Sequence, residues 1–171
     1  EARAASAIAM SKGDAPPAHW LHLSRPFAWT DHGPVLLSWS GTMFEYLMPT
    51  LFFRMPPETV LEEACRRAVK VQQDYGRRHR VPWGVSESGY HVLNSEDHYQ
   101  YRAFGVPDLG LNRSLGRRLV VAPYASLMAT SIDPGGTFEN LQALAALGAI
   151  GPGGPYEALD FGPTADRSKR P

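Results

Sequence analysis

The most regular alternation of apolar and polar positions lies between Thr59 and His79. Apolar residues fall at 60, 61, 64, 65, 68 and 69, and Tyr75 extends the stripe. Positions 62, 63, 66, 67, 70, 73 and 74 are polar. Steps of three and four residues place the apolar set on one face, which predicts an amphipathic helix with its other face to solvent. Thr59, with Glu62 three residues on, offers a capping box. Three further helices are predicted. One begins near Gly41, where Thr42 and Glu45 repeat the capping-box spacing, and Pro49 limits or kinks it. Another runs from Pro123, a favoured first helical position, to Asp133 before Pro134. Its residues Tyr124, Ala125, Leu127, Met128, Ala129 and Ile132 leave it apolar nearly all round, so it should be buried. The fourth, Thr137 to Leu147, carries Phe138, Leu141, Leu144 and Ala145 on one face and stops at Gly148.

No strong strand-like alternation appears. The first residues, to about Asp14, are small and polar, and residues 1–17 are expected to form a flexible segment. Residues 15–34 are irregular and rich in aromatic rings. Long Gly/Pro/aromatic stretches at 80–118 and 148–165 read as loops, and loops of that length in a compact domain are usually functional. The pattern predicts an all-α chain in which outer helices alternate with inner ones and the loops build a cleft at one end. Four helices are too few to close such a toroid, so the chain is either part of a larger domain or a smaller bundle.

Composition narrows the function. The 171 residues, 43% hydrophobic and 20% charged, suit one globular domain. Lys plus Arg and Asp plus Glu are 17 each, so net charge gives no argument for a nucleic-acid or membrane-surface partner. The short clusters Arg77, Arg78, Arg80 and Arg117, Arg118 do not change that, and the first complements a helix C-terminus. The single cysteine, Cys65, cannot form an intrachain disulfide and sits on the helix stripe, where packing is its expected role. Residues 1–15 show no secretory signal. The window 35–53 is the most membrane-like, yet it contains Gly41, Glu45, Pro49 and four Ser or Thr, so it is expected to be protein core.

The six histidines lack metal-ligand spacing, no G-x-S-x-G is present, and the glycines of 151–154 follow no strand and carry no Lys-Ser/Thr. What stands out is carboxylates set among rings: Glu45 in SWSGTMFEYLMP, Glu87 in PWGVSESGY, and Glu157 with Asp160 in GPYEALDF. Aromatic faces stack on the apolar face of a sugar, and paired carboxylates supply the acid and the base or nucleophile that cleave a glycosidic bond. Each also has a structural alternative. Glu45 completes a capping box, Glu87 can hold a loop amide or an arginine, and Glu157 and Asp160 can start another helix. Trp39 and Trp83 can be packing residues as readily as sugar platforms.

The segments HWLHLSRPFA (19–28), LLSWSGTMFEYLMP (36–49), VPWGVSESGYH (81–91), YQYRAFGVPDLGL (99–111), LVVAPYASLMA (119–129) and GPYEALDF (154–161) resemble the glucoamylase-like domain of cyclic β-1,2-glucan synthases. The resemblance covers roughly residues 18–165. It implies part of an (α/α)6 toroid, acting without a cofactor on a linear β-1,2-glucan by transglycosylation that closes it into a ring. It also implies partner domains of a larger synthase on the cytoplasmic side of a Gram-negative inner membrane. Related endo-β-1,2-glucanases hydrolyse the glucan with a similar barrel. The chain holds no glycosyltransferase region and ends at DRSKRP soon after YEALDF, so a fragment with a 166–171 tail is expected. Glu87 is the first candidate for a catalytic carboxylate, with Glu45 and Glu157 beside it. Trp39, Trp83, Tyr90, Tyr99, Tyr101 and Arg102 are candidates for substrate contacts. The rival readings are a non-catalytic glucan-binding module, an inactive remnant, and a hydrolase.

Overall fold

Caps and buried stripes set the frame of the chain. The computed structural model describes residues 2–112 and 118–162. Arg117 and the 166–171 tail lie outside the described residues. In chain order the elements are α1 (Ala2–Lys12), α2 (His19–His22), β1 (Phe27–Thr30), β2 (Gly33–Leu36), α3 (Met43–Leu47), α4 (Val60–His79), β3 (Ser88–Leu93) and β4 (Tyr99–Arg102). They continue with β5 (Val120–Val121), α5 (Pro123–Met128), α6 (Pro134–Ala146), β6 (Ile150–Gly151), β7 (Gly154–Pro155) and β8 (Leu159–Asp160). Tight helical turns follow α3 at Met48–Leu51 and α5 at Ala129–Ser131.

The four predicted helices form, with instructive departures. Thr59 caps α4 by accepting the Glu62 N–H at 3.3 Å, and Arg80 ends the helix in the left-handed region at φ 57°. Its inner face is Ala64, Cys65, Ala68, Val69 and Tyr75, but Val60 is exposed and Gln72 is fully buried. α3 opens on a complete capping box between Thr42 and Glu45, and Pro49 falls in the turn that ends it. α5 buries Pro123, Ala125 and Ser126, while Leu127 is 47% exposed, so it is buried on one side and not all round. α6 begins three residues before Thr137, because Asp133 caps it through the Gly136 N–H and Pro134 occupies the first turn. Its inner face is also rotated from the apolar one. Thr137, Asn140 and Leu144 are buried, whereas Phe138 is 63% exposed.

Segments without a sequence pattern are less irregular than expected. The start of the chain is the helix α1, not an unstructured lead. Among the described residues the strands form four two-stranded sheets, so no large sheet acts as scaffold. The hairpin β3–β4 occupies the middle of the stretch expected to be a loop. It pairs Ser88 with Arg102, Gly89 with Tyr101 and Tyr90 with Gln100, and a bulge precedes the Leu93–Tyr99 pair. Small and polar residues in β3 leave no alternation to read. β8 pairs antiparallel with β5, which returns the C-terminal segment to the centre of the molecule.

One core joins these pieces. Val35, Met43, Leu47, Phe104, Leu109, Val120 and Leu144 have no exposed surface. The membrane-like window therefore supplies core residues, and no helix of the described residues is long and apolar enough to cross a membrane. Cys65 is buried, and its thiol donates to the Tyr46 carbonyl at 3.2 Å. Burial pushes that thiol up to about 11, so it is a packing residue and not a nucleophile at neutral pH. Gly105 marks a close backbone crossing: a Cβ there would lie 1.6 Å from the Ser40 carbonyl oxygen.

Candidate functional site

Residues 83–87 run through the interior outside any helix or strand, so their backbone polar groups need partners other than a regular ladder. Side chains provide them. The Trp83 N–H donates to Asn140 Oδ1 at 2.9 Å, and its carbonyl accepts from Asn140 Nδ2 at 2.8 Å and Ser126 Oγ at 3.2 Å. The Val85 N–H donates to Gln72 Oε1, and its carbonyl accepts from Gln72 Nε2, both at 2.8 Å. The Glu87 carbonyl accepts from the Tyr124 hydroxyl at 2.7 Å. Ser86 Oγ accepts from the Phe44 N–H at 3.1 Å and lies 2.9 Å from Tyr124 Oη. This explains the buried Gln72 on α4 and Asn140 on α6. Neither belongs to an apolar stripe, and both replace missing backbone partners.

The C-terminal acids come to the same place. Glu157 and Asp160 do not start a helix. Glu157 Oε1 accepts from the Gly89 N–H at 2.6 Å, two residues from Glu87. Asp160, at the end of β8, accepts from Arg118 Nε and lies 2.7 Å from Arg118 Nη2, and the N–H groups of His91 and Gly162 also reach it. The Arg118 guanidinium lies over the Tyr90 ring at 5.2 Å, and Tyr90 meets Phe104 edge to face at 5.0 Å. Arg118 is thus a structural clamp between β3 and β8.

The Asp160 side chain is only 8% exposed. Burial raises its pKa, but the Arg118 hydrogen bonds and the Gly162 and His91 amides outweigh burial and hold it below the ordinary carboxyl value. A depressed folded pKa contributes stability that is complete above the unfolded value of about 3.9 and is lost as pH falls through the folded value. Asp160→Asn should therefore cost about 3 kcal/mol at pH 7, the scale for breaking a buried ion pair. The gap from the parent chain should narrow below about pH 4. Urea unfolding at the two pH values checks this, and a pH-independent gap would show that the carboxylate charge does not matter.

Glu87 is half-buried and Glu157 exposed. Both charges are felt at Tyr124. Burial pushes the Tyr124 hydroxyl up to about 12, against a lowering hydrogen bond from Ser86, and the negative charges of Glu87 and Glu157 add to the rise, as does Tyr101. Tyr99 and Tyr101 project from β4 at 72% and 65% exposure, and Arg102 beside them is exposed. Next to Glu87, Ser88 Oγ is buried without a partner, the only such side-chain atom among the described residues.

Other expected contacts fall elsewhere. Trp83 is in the hydrophobic core, with its backbone held by Asn140, so its ring is a packing element and not a surface platform. Tyr90 is partly buried between Phe104 and Arg118. Glu45 is tied into its own loop. Its carboxylate accepts from Ser38 Oγ at 2.8 Å and from the N–H groups of Ser40 and Thr42 at 3.0 and 3.2 Å, which cinches the loop carrying the exposed Trp39. Glu45 and Trp39 line a cavity of about 580 Å³ between α1, α3 and α4, bordered also by Tyr46, Phe53 and Cys65. Neither Glu87 nor Glu157 lines that cavity. Tyr124 was read only as part of an apolar helix. The signal that could have singled it out is a hydroxyl on a helix otherwise built to be buried.

Residues 4–168 match the family described as "Putative glucoamylase". The chain belongs to that family. It is also 44% identical over 164 residues to the cyclic beta-(1,2)-glucan synthase NdvB of Rhizobium meliloti (strain 1021). That match covers 96% of the chain and 6% of the relative's length. Among solved structures it resembles the endo-beta-1,2-glucanase from Chitinophaga pinensis, determined with sophorotriose and glucose, at a TM-score of 0.60 and 16% identity. The overlap covers 84% of this chain and 36% of the glucanase. At that identity the likeness speaks to the fold, and the helical frame with short strands is compatible with it.

Proposed function

We propose that the chain is part of a β-1,2-glucan-processing domain of glycosidase type and that Glu87 and Glu157 are its reacting carboxylates. The observation that carries this reading is that Glu157, from far along the sequence, holds the Gly89 N–H two residues from Glu87, on the strand that pairs with the exposed Tyr99 and Tyr101. Cleaving a glycosidic bond needs a proton donor for the leaving oxygen and a second carboxylate as base or nucleophile. In transglycosylation the C1–O bond of one linkage breaks and C1 joins a sugar hydroxyl. When that hydroxyl belongs to the far end of the same chain, the product is a ring. In hydrolysis water takes its place. The relatives' names, a glucan synthase and a glucanase, favour β-1,2-linked glucose as the substrate. Tyr99, Tyr101 and Arg102 offer ring faces and hydrogen-bond donors for successive sugars. Glu45 keeps its place as a loop clamp, not a third reacting acid.

The test is incubation with linear β-1,2-glucan, for the chain alone and for the chain extended by the rest of a relative's domain, with product lengths resolved. Ring formation supports transglycosylation, and shortened linear products support hydrolysis. Glucan that survives unchanged in both forms removes the reading. A second reading, binding without turnover, is favoured by the exposed Trp39 at the mouth of the cavity. It would appear as glucan affinity that Trp39→Ala abolishes, with no product.

A further inference from the structure

Three helices each commit a polar side chain to an alternate residue of the 83–87 segment. Asn140 of α6 holds Trp83, Gln72 of α4 holds Val85, and Tyr124 of α5 holds Glu87. Gln72 is fully buried and Asn140 nearly so. Burying such groups is favourable only when their hydrogen bonds are met, and here they are met by this one segment. The first two are bidentate and lie in the core. The third differs, because it meets the Glu87 carbonyl and not the Glu87 N–H, lies against Ser86 Oγ as well, and is half-buried. It also ends a chain of bonds. The Phe44 N–H donates to Ser86 Oγ, Ser86 Oγ and Tyr124 Oη are hydrogen-bonded at 2.9 Å, and Tyr124 donates to the Glu87 carbonyl. Two residues on, Glu157 holds the Gly89 N–H. The backbone is therefore held at the Glu87 carbonyl and again at Gly89.

We propose that Tyr124, relayed through Ser86, is a positioning residue that sets the direction in which the Glu87 carboxylate meets the glucan. The claim rests on the reading of Glu87 as a reacting carboxylate. A positioning group acts through geometry, and a displacement near 1 Å at a reacting atom can cost about 10²-fold in rate. Tyr124→Phe removes one oxygen and keeps the ring that meets Phe44 edge to face at 6.5 Å. It should lower kcat by roughly 10- to 100-fold with KM within about twofold. Because Tyr124 acts through Glu87, the double variant Tyr124→Phe/Glu87→Gln should be no slower than Glu87→Gln alone.

Glucan turnover by these variants is the experiment, in whichever form of the protein is active. A merely structural hydroxyl would give losses that add in the double variant, and additivity overturns the proposal. So does a Tyr124→Phe kcat within threefold of the parent while Glu87→Gln is inactive, an outcome that leaves the glycosidase reading standing. A Glu87→Gln variant with parental turnover removes Glu87 as a reacting carboxylate and the positioning role with it, and no turnover in any form removes the glycosidase reading as a whole. If Tyr124→Phe proves unfolded by circular dichroism, Ser86→Ala decides the matter. It breaks the relay and leaves the ring, so an unchanged kcat in Ser86→Ala overturns the proposal.

Discussion

Glu87→Gln is expected to reduce glucan turnover by ~10²–10⁴-fold, the range for loss of a general acid or base, while the folded state survives. The substitution keeps the size of the side chain and most of its hydrogen bonds, and removes the charge and the titratable proton. The backbone of Glu87 is held independently of its side chain, through Tyr124 and the neighbouring Gln72 and Asn140 bonds. The melting temperature should therefore move by no more than about 2 °C, the scale of a sub-kcal/mol change in a chain of this size. A structural role gives the opposite result, a lower melting temperature with turnover per folded molecule retained. The assay resolves product chain length and is paired with thermal unfolding of the same preparation. Full activity in the variant would move the assignment to Glu157.

Gln72→Ala should have the largest effect on stability. The side chain is fully buried and, among the described residues, supplies the acceptor for the Val85 N–H. The Val85 carbonyl fares better, because it also accepts from the Met43 N–H at 3.1 Å. Truncation thus leaves one buried donor orphaned, at about 1–3 kcal/mol, and opens a void beside Val85 at a further one or two. A total of about 4 kcal/mol corresponds to a fall of roughly 10 °C in melting temperature. Gln72→Met fills the volume but not the hydrogen bond and should cost about half as much. Gln142→Ala, at an exposed position of α6, is the control and should stay within about 0.5 kcal/mol. Urea unfolding followed by circular dichroism separates the three. Equal values for Gln72→Ala and Gln142→Ala would mean that segment 83–87 is not anchored as described.

Much of the frame was legible from residue order. Thr42 and Glu45 announced their capping box because both partners lie within one turn, and the α4 stripe fell on the buried face apart from Val60. Cys65 was placed in the core by the same periodicity. Where an element is stabilised by partners three or four residues away, sequence alone carries the information. The rotated face of α6 shows where this ends. Phe138 looked like a core residue, yet Asn140 and Thr137 turn inward, because Asn140 serves a segment that arrives from far earlier in the chain. The hairpin β3–β4 was hidden for a related reason. Its stability comes from cross-strand pairing and from Arg118, Asp160 and Glu157, none of them local.

The candidate site divides in the same way. The choice of residue types, carboxylates set among aromatic rings, was visible in the sequence, and so was the capping role of Glu45. Which carboxylates act together was not. Glu45 and Glu157 looked equivalent as partners for Glu87, but the fold ties Glu45 into its own loop and brings Glu157 to the Gly89 N–H, through β8 pairing with β5 and the Arg118 clamp. Trp83 and Tyr101 also looked alike, and the fold buries one and exposes the other. Periodicity and capping are short-range consequences of backbone geometry, so the sequence by itself determined the helices and their ends. Meeting of groups far apart in the chain depends on how those helices pack and on which buried amides answer which carbonyls, and that was decided only by the tertiary structure.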